Sequence, residues 1–220
     1  MTAPYPAASA AYKRTGSALR RQWTPDDTGI PCMVQNLHED DASLRLALAD
    51  YRDRHSAEVA VADAFLALLD DPANPFERSR LAGHFTGSAW LVSGDGRRVL
   101  LTHHRKLGRW LQLGGHADGD ADLARVALRE AGEESGLAGL VVQGGIFDLD
   151  RHWIPARGEV RGHWHYDVRY VVRAGASEAF VVSDESLALA WREIATLVQD
   201  PAADDSMRRM AGRWLAGWPG

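Results

Sequence analysis

The sequence contains a single cysteine, Cys32, among its 220 residues. A disulfide needs two thiols, so no disulfide can form within the chain, and the composition gives secretion no support. Long apolar runs are also lacking, since none approaches the roughly 18 residues that a membrane-spanning helix requires. Residues 1–30 have no apolar core of the signal-peptide type. We therefore expect a cytoplasmic protein without a membrane partner.

An excess of basic charge is lacking as well. The formal net charge is -5, from 25 Lys and Arg against 30 Asp and Glu. Proteins that cover nucleic acid usually carry a basic excess or a basic face, so we expect no nucleic-acid partner. With 45% hydrophobic and 25% charged residues, the chain can bury one sizeable core and carry an extension.

Three segments follow from the distribution of apolar residues. Residues 1–31 show no sustained periodicity and are expected to be mostly disordered. Residues 32–81 are predicted to form a helical extension, because apolar residues from Asp41 to Asp71 recur at helical spacing. The pattern breaks near His55, and Ser56 is a candidate cap for the second helix. Residues 82–220 form the main domain and end in a helix.

Within the main domain, strand-like and helix-like segments alternate. Ser88–Val92 and Val99–Thr102 flank an Asp-Gly turn and predict a β-hairpin. The other predicted strands are Trp110–Leu113, Leu140–Leu149, Gly162–Val172 and Phe180–Val182. The predicted helices are Ala121–Ser135, Leu187–Leu197 and Asp204–Leu215. Strands with helices on both sides predict an α/β fold of the sandwich type.

The first of these helices ends in an unfavourable cluster of negative charge. Glu130, Glu133 and Glu134 fall within an arc of roughly 100° at 100° per residue. Like charges at this spacing repel by about 0.2–0.5 kcal/mol per pair. Gly136 is predicted to end the helix, and the carbonyl end of a helix favours cations over anions. A positive group is therefore expected beside these glutamates.

A hard divalent cation fits this acidic cluster, because such an ion takes several oxygen ligands at once. Mg²⁺ is the expected ion, with Mn²⁺ as a possible substitute. Gly114 and Gly115 allow the backbone to come close to a ligand, so the carbonyl of Gly115 can supply a further oxygen. The alternative is a solvated acidic helix end without an ion.

The residues from Gly115 to Leu137, GHADGDADLARVALREAGEESGL, resemble the signature of the Nudix hydrolase family. The order of elements over roughly residues 82–198 also resembles that family, and the abundance of Arg over Lys indicates a bacterial source. The signature positions fall on Gly115, Arg129, Glu130, Ala131, Glu133, Glu134, Gly136 and Leu137.

The resemblance implies a Nudix-type α/β/α sandwich with a mixed sheet, and residues 82–220 as its catalytic domain. It also implies hydrolysis of a nucleoside diphosphate linked to another moiety, and a homodimer is possible. The metal ligands would be Glu130, Glu133, Glu134 and the Gly115 carbonyl. Arg129 would belong to the catalytic set, and Glu133 or Glu134 would double as general base. Family members also recruit the base from a later loop, which leaves Glu159, Asp167, Asp184 and Glu185 as candidates.

One signature position departs from the pattern. Where the family usually carries its first glutamate, this chain has Ala121. In the family that glutamate mainly supports the signature arginine, so its loss puts the support of Arg129 in question. Asp120 or Asp122 is expected to substitute for it.

Two further polar groups are candidates for substrate binding. His104, Arg105, Lys106 and Arg109 precede the glycines in a basic run, and Arg can hold a phosphate through two parallel hydrogen bonds. The alternative for this run is a solvated turn. His163, His165 and Asp167 alternate along a predicted strand and share one face. They predict either a second metal site or, more strongly, a polar wall of the cleft in which His165 and Asp167 contact the substrate.

Two other functions remain open on the same scaffold. A prenyl-diphosphate isomerase of this family uses a cysteine and a glutamate, but Cys32 precedes the predicted helices and does not lie on a core strand. A catalytically silent Nudix domain that senses a ligand is the second alternative, and the departure at Ala121 supports it. The sequence does not indicate the identity of the substrate.

Overall fold

The computed structural model describes residues 32–105, 107–183 and 186–218, with side chains from residue 41 onward. The predicted disordered segment 1–31, Lys106, Asp184, Glu185 and the side chain of Cys32 lie outside this description. The helices are α1 (Cys32–Arg54), α2 (Val59–Leu69), α3 (Leu123–Ser135), α4 (Ile194–Leu197) and α5 (Asp205–Leu215). The strands are β1 (His84–Val92), β2 (Arg98–His104), β3 (Arg109–Leu111), β4 (Leu113–His116), β5 (Val141–Ile154), β6 (His163–Arg173) and β7 (Ser186–Glu193).

These strands form one mixed sheet of seven strands in the order β3-β2-β1-β6-β5. Strand β4 pairs with β1, and β7 pairs with β2. The central pair β1·β6 is parallel, whereas the other pairs are antiparallel. The predicted hairpin is present, with Val92 opposite Val99. In the part of the chain that the structure describes, no helix is long and apolar enough to cross a membrane.

Each face of the sheet is covered by helices, which confirms the predicted α/β/α sandwich. Alternate residues of β1 point to opposite faces, as expected of a strand. Phe85 and Leu91 share one buried cluster with residues of α1, α2 and α3, whereas Trp90 belongs to a second cluster with residues of α4 and α5. The N-terminal helices therefore bury their apolar residues in the same core as the sheet.

The helical extension folds as two helices with a break between them, but the predicted cap is wrong. A 3₁₀ turn covers Ser56–Glu58, and α2 begins without a side-chain cap. The Tyr51 hydroxyl instead donates a hydrogen bond to the Glu58 carboxylate, and Arg213 of α5 donates to both residues. The break between the helices is thus tied to the C-terminal helix.

Two predicted elements near the C-terminus are wrong. The segment Leu187–Leu197 is not a helix, because β7 occupies Ser186–Glu193 and only α4 is helical. The Leu and Ala residues of this segment favour a helix. They form strand β7 instead, because the segment pairs along β2 from Arg98 to His104. Phe180–Val182 is not a strand, because the Val181 N–H donates to the Ser135 carbonyl and so covers the end of α3.

Candidate active site

Helix α3 carries the acidic cluster to one end of the sheet. It begins at Asp122, whose side chain accepts a hydrogen bond from the Arg125 N–H, and it ends at Gly136, whose φ is 68°. The left-handed conformation of Gly136 confirms the predicted helix end. Its buried residues pack on β1, where a Cβ at Gly87 would lie only 2.8 Å from the Leu123 carbonyl oxygen. This close packing fixes the height of the glutamates relative to the strands.

Two of the three glutamates reach the glycine pair in β4. A Cβ on Gly115 would lie 2.5 Å from the carboxyl carbon of Glu130, so this carboxylate occupies space that only glycine leaves open. The Gly114 N–H donates to Glu134 Oε1 at 2.9 Å. Glu133 is exposed one turn from Glu130. Strand β4 and the C-terminal end of α3 are therefore in contact through the carboxylates of Glu130 and Glu134.

This donor set fits a hard divalent ion. It consists of the carboxylate oxygens of Glu130 and Glu134, packed against the glycine pair of β4. Oxygen ligands are those that Mg²⁺ and Mn²⁺ prefer. The bond from Gly114 holds one carboxylate of the set, Glu134, in place. The structure thus brings Glu130, Glu134 and Gly115 together as the sequence predicts, with Glu133 on the same helix end.

Arg129 is supported, but not by the residues that the sequence predicts. Its Nη2 donates to Glu130 Oε1 at 2.8 Å and to the His116 carbonyl at 3.2 Å. The hydrogen bond to Glu130 raises the pKa of the Arg129 guanidinium above its usual value. Asp120 does not hydrogen-bond Arg129, because both of its carboxylate oxygens accept from Arg125.

Asp122 is committed elsewhere too, since it caps the first turn of α3. Neither aspartate therefore replaces the missing glutamate by a hydrogen bond to Arg129, although the charge of Asp120 contributes to the raised pKa of that guanidinium. Ala121 itself is buried and lines a pocket of about 260 Å³. Ser43, Leu44 and Ala47 of α1 also line this pocket.

The basic run lies on the β2–β3 hairpin at one edge of the sheet. The His104 carbonyl accepts hydrogen bonds from the Leu107 and Gly108 N–H groups, which closes the turn. Arg105 is exposed, and its Nη2 donates to the Ser186 carbonyl at 3.1 Å. Arg109 is exposed opposite His104. The contact of these side chains with a substrate stays a prediction.

Asp167 lies in a buried hydrogen-bond network and not on a cleft wall. It is 2% exposed, and its Oδ1 accepts from Thr86 Oγ1 at 2.9 Å and from Ser88 Oγ at 2.7 Å. Its Oδ2 accepts from Arg169 Nε at 2.7 Å and from Gln112 Nε2 at 3.2 Å. With both oxygens engaged, Asp167 supports the sheet, and this placement argues against its predicted roles as substrate contact and general base.

His165 and His163 do share one face of β6, as the alternation predicts. Their Nε2 atoms lie 3.2 Å apart. His84, which the sequence analysis missed, is opposite His165 in the parallel pair β1·β6. Only this register brings the three rings together, and no local pattern in the sequence could have revealed it. Burial, together with the neighbouring histidines, lowers the pKa of His165 to about 2, so its neutral form is favoured.

The sequence analysis also missed a group of buried charges around Asp148. Asp148 is fully buried and accepts hydrogen bonds from Arg169, Arg209 and Arg213. Because Arg209 and Arg213 belong to α5, this carboxylate connects the sheet to the C-terminal helix.

Among the alternative general bases that the sequence offers, Glu159 is exposed.

Comparisons with known proteins address the fold and the family. A NUDIX-family hydrolase from Clostridium perfringens is 24% identical, covering 60% of this chain and 96% of its own, with a TM-score of 0.49. The MutT protein from Methanosarcina mazei Go1 is 17% identical, covering 62% of this chain and 96% of its own, with a TM-score of 0.50. An Ap4A hydrolase from C. elegans is 19% identical, covering 61% and 98%, with a TM-score of 0.47. At these identities, the likeness to the MutT protein shows the fold alone.

No curated protein matches this chain. The sequence profile of the NUDIX domain does match, over residues 84–213, which is more than half of the chain. That match includes the glycine pair, the acidic cluster and Arg129. The chain therefore belongs to the Nudix family, and its enzyme class is that of a pyrophosphohydrolase acting on a phosphoric anhydride.

Proposed function

We propose that this enzyme cleaves the pyrophosphate bond of a nucleoside diphosphate linked to another moiety, with Mg²⁺ or Mn²⁺ held by Glu130, Glu133, Glu134 and the Gly115 carbonyl. The observation that carries the proposal is the convergence of Glu130 and Glu134 on the two glycines of β4. A solvated acidic helix end would not require carboxylates packed against a backbone strand.

The side chains of the site divide the work of hydrolysis among them. A divalent ion held by these residues would polarise a phosphoryl oxygen and lower the pKa of a bound water. Arg129 holds Glu130 through the hydrogen bond at 2.8 Å, and Gly114 orients Glu134 at 2.9 Å. Glu133, which is exposed, or Glu134 accepts the proton of the attacking water.

Basic side chains are proposed to bind the phosphates of the substrate. His104, Arg105, Lys106 and Arg109 precede the glycine pair in the sequence. Arg105 and Arg109 are exposed, so their guanidinium groups can reach a phosphate in solution. The partner is thus a small molecule with a diphosphate group, and its second moiety stays open.

Hydrolysis is tested with the parent protein, Mg²⁺ and a substrate panel of nucleotide sugars, dinucleoside polyphosphates, ADP-ribose and nucleoside triphosphates. Phosphate-containing products are measured. We expect turnover of at least one class. The Glu134→Gln variant should lose about 100-fold or more in kcat, because an amide ligates a hard cation poorly. Even the replacement of residues that only support metal ligands costs roughly 10- to 100-fold in activity or metal affinity.

The matched control is Glu193→Gln, an exposed glutamate at the end of β7, which should keep parental activity. Equal activity of Glu134→Gln and the parent would overturn the assignment of the acidic cluster. Binding of a panel compound without any turnover would instead support the ligand-sensor function that the departure at Ala121 suggests.

A further inference from the structure

Three histidines meet on the face of the sheet that also carries Asp167. His84 begins β1 and His163 begins β6, and their exposed fractions are 1% and 7%. His165 lies directly opposite His84 across the parallel pair. One ring nitrogen from each of the three residues lies within 4.8 Å of those of the other two. We call these three residues the histidine cluster.

Hydrogen bonds to backbone carbonyls fix the orientation of two of these rings. Nδ1 of His84 lies 3.2 Å from the Arg80 carbonyl, and Nδ1 of His163 lies 2.9 Å from the Arg161 carbonyl. A carbonyl only accepts, so each Nδ1 carries the proton and donates it. In the neutral form of such a ring, Nε2 carries a lone pair. Histidines that bind metals are typically held in this way, with the second ring nitrogen donating to a carbonyl or carboxylate.

In the part of the chain that the structure describes, His84 has one unsatisfied ring nitrogen. Its Nε2 is buried and has no hydrogen-bond partner among the described residues. Leaving a buried polar atom unpaired costs about 1–3 kcal/mol. The Nε2 atoms of His163 and His165 lie 3.2 Å apart, so one of them can donate a hydrogen bond to the other. An ion that accepts lone pairs would satisfy all three atoms at once.

The geometry points to a binding site for one divalent transition-metal ion, Zn²⁺ by its ligand chemistry, formed by His84, His163 and His165. Imidazole suits Zn²⁺, whereas Mg²⁺ prefers oxygen ligands. At Zn–N distances of 2.0–2.1 Å, tetrahedral ligands lie about 3.3 Å apart, close to the 3.2 Å between His163 and His165. The site therefore differs in chemistry from the acidic cluster of α3.

Asp167, on the same face of β6, does not supply a fourth ligand. The carboxylate of Asp167 is not available, because its two oxygens accept four hydrogen bonds from the protein. The ring of His116 lies 5.0 Å from that of His165, and the ring of His152 lies 5.5 Å from it. Three imidazole ligands and a fourth position open to water form a known arrangement for zinc.

Strand β4 connects the two sites in the sequence. His116, whose ring is also 5.2 Å from that of His84, directly follows Gly115 in β4. The ion would also join the first residues of the two central strands, because His84 and His163 begin β1 and β6. Because the ion would bind the folded chain and not the unfolded chain, it should raise the melting temperature of the protein.

The test uses the full chain without an affinity tag, first stripped with a chelator. Co²⁺ is then titrated in, and its visible absorption reports a four-coordinate site. Zn²⁺ should bleach that absorption at one ion per chain and raise the melting temperature. The His84→Gln and His163→Gln variants should lose the absorption, with at least about a 10-fold weaker affinity. Circular dichroism checks that both variants are folded.

Two control variants separate this site from other sources of binding. His55→Gln changes a histidine of the N-terminal helices and should retain parental Co²⁺ absorption. Glu134→Gln should also retain it, so a failure of the proposed hydrolysis and a failure of this site give different results. Absence of Co²⁺ absorption in the parent, or equal absorption in both cluster variants, would overturn the proposal.

A second measurement does not depend on the variants. Crystals of the parent grown with Zn²⁺ should show an anomalous peak at the zinc absorption edge between the Nε2 atoms of the histidine cluster. A peak only at the acidic cluster, or none at all, would contradict the site even if the histidine variants fail to fold.

Discussion

At the scale of single residues, Gly115 sets how closely the strand and the acidic helix approach. Any larger residue would place its Cβ 2.5–2.7 Å from the carboxyl atoms of Glu130, a separation that atoms in folded proteins do not tolerate. The Glu130 carboxylate would have to leave, and its hydrogen bond to Arg129 would go with it. The absence of a side chain is thus part of the site.

We predict that Gly115→Ala lowers kcat/KM by about 100-fold, because displacing a reacting group by about 1 Å can cost that much. Steady-state hydrolysis of the substrate found in the panel measures the effect. Gly132→Ala is a matched control in the same motif. A Cβ there meets nothing within 4 Å, so activity should persist while helix α3 gains about 0.5–1 kcal/mol. Equal activity of Gly115→Ala and Gly132→Ala would contradict the role of Gly115.

The sequence predicted the acidic cluster but not its support. A fixed spacing places Glu130 and Glu134 on one side of a helix, and this geometry is local. The second partner of Arg129, the His116 carbonyl, depends on where β4 lies relative to α3, which local spacing does not contain. For the same reason His84 was missed, since its neighbours come from β6 at a distance of many residues.

At the scale of elements, most helices and strands follow from periodicity, and the exceptions have tertiary causes. The hairpin at Val92 and Val99 and the helix ended by Gly136 were predicted correctly. The segment that became β7 contains residues that favour helices, and its pairing with β2 overrides that preference. Edges of a sheet are not visible in a single segment, so this element could not be assigned from its own residues.

The two N-terminal helices belong to the core of the sheet. The ring of Phe65 in α2 is fully buried and lies 6.0 Å from that of Phe85 and 5.2 Å from that of Tyr166. Phe65→Ala should therefore lower the free energy of unfolding by about 3–5 kcal/mol, the usual cost of emptying a buried aromatic site. Urea denaturation followed by circular dichroism measures this change.

Leu46→Ala provides the comparison for Phe65→Ala. Leu46 lies on α1 with 73% of its surface exposed, so its replacement should change the unfolding free energy little. A small effect of both substitutions would show that the helices are not packed on the sheet in solution.

At the scale of the whole molecule, buried charge makes stability depend on pH. Burial acts to raise the pKa of Asp150, but the hydrogen bond with His152 and the charges of Arg169 and Arg209 hold it well below its ordinary value. A carboxyl with a lowered pKa in the folded state stabilises the fold above its unfolded pKa of about 3.9. That contribution is lost as the pH falls below this value towards the folded pKa.

We predict that the contribution of Asp150 to thermal stability is nearly constant above about pH 5 and declines below about pH 4. Asp150→Asn should be less stable than the parent at neutral pH, with a shallower decline in acid. Melting temperatures across a pH series test this. Asp205→Asn, whose side chain is 97% exposed, should reproduce the parental profile. A parental slope in Asp150→Asn would contradict the assignment.

The parallel pairing of β1 and β6 has a consequence for how this chain is synthesised. Strand β1 is synthesised well before β6, its parallel partner along one edge, which ends at Arg173. Contacts this distant in sequence form slowly, because a long loop must close first. Until then the nascent chain exposes an unpaired, largely apolar edge of nine residues, and such edges recruit other chains. The fully buried strand β1 of the finished protein is therefore open to mispairing during translation.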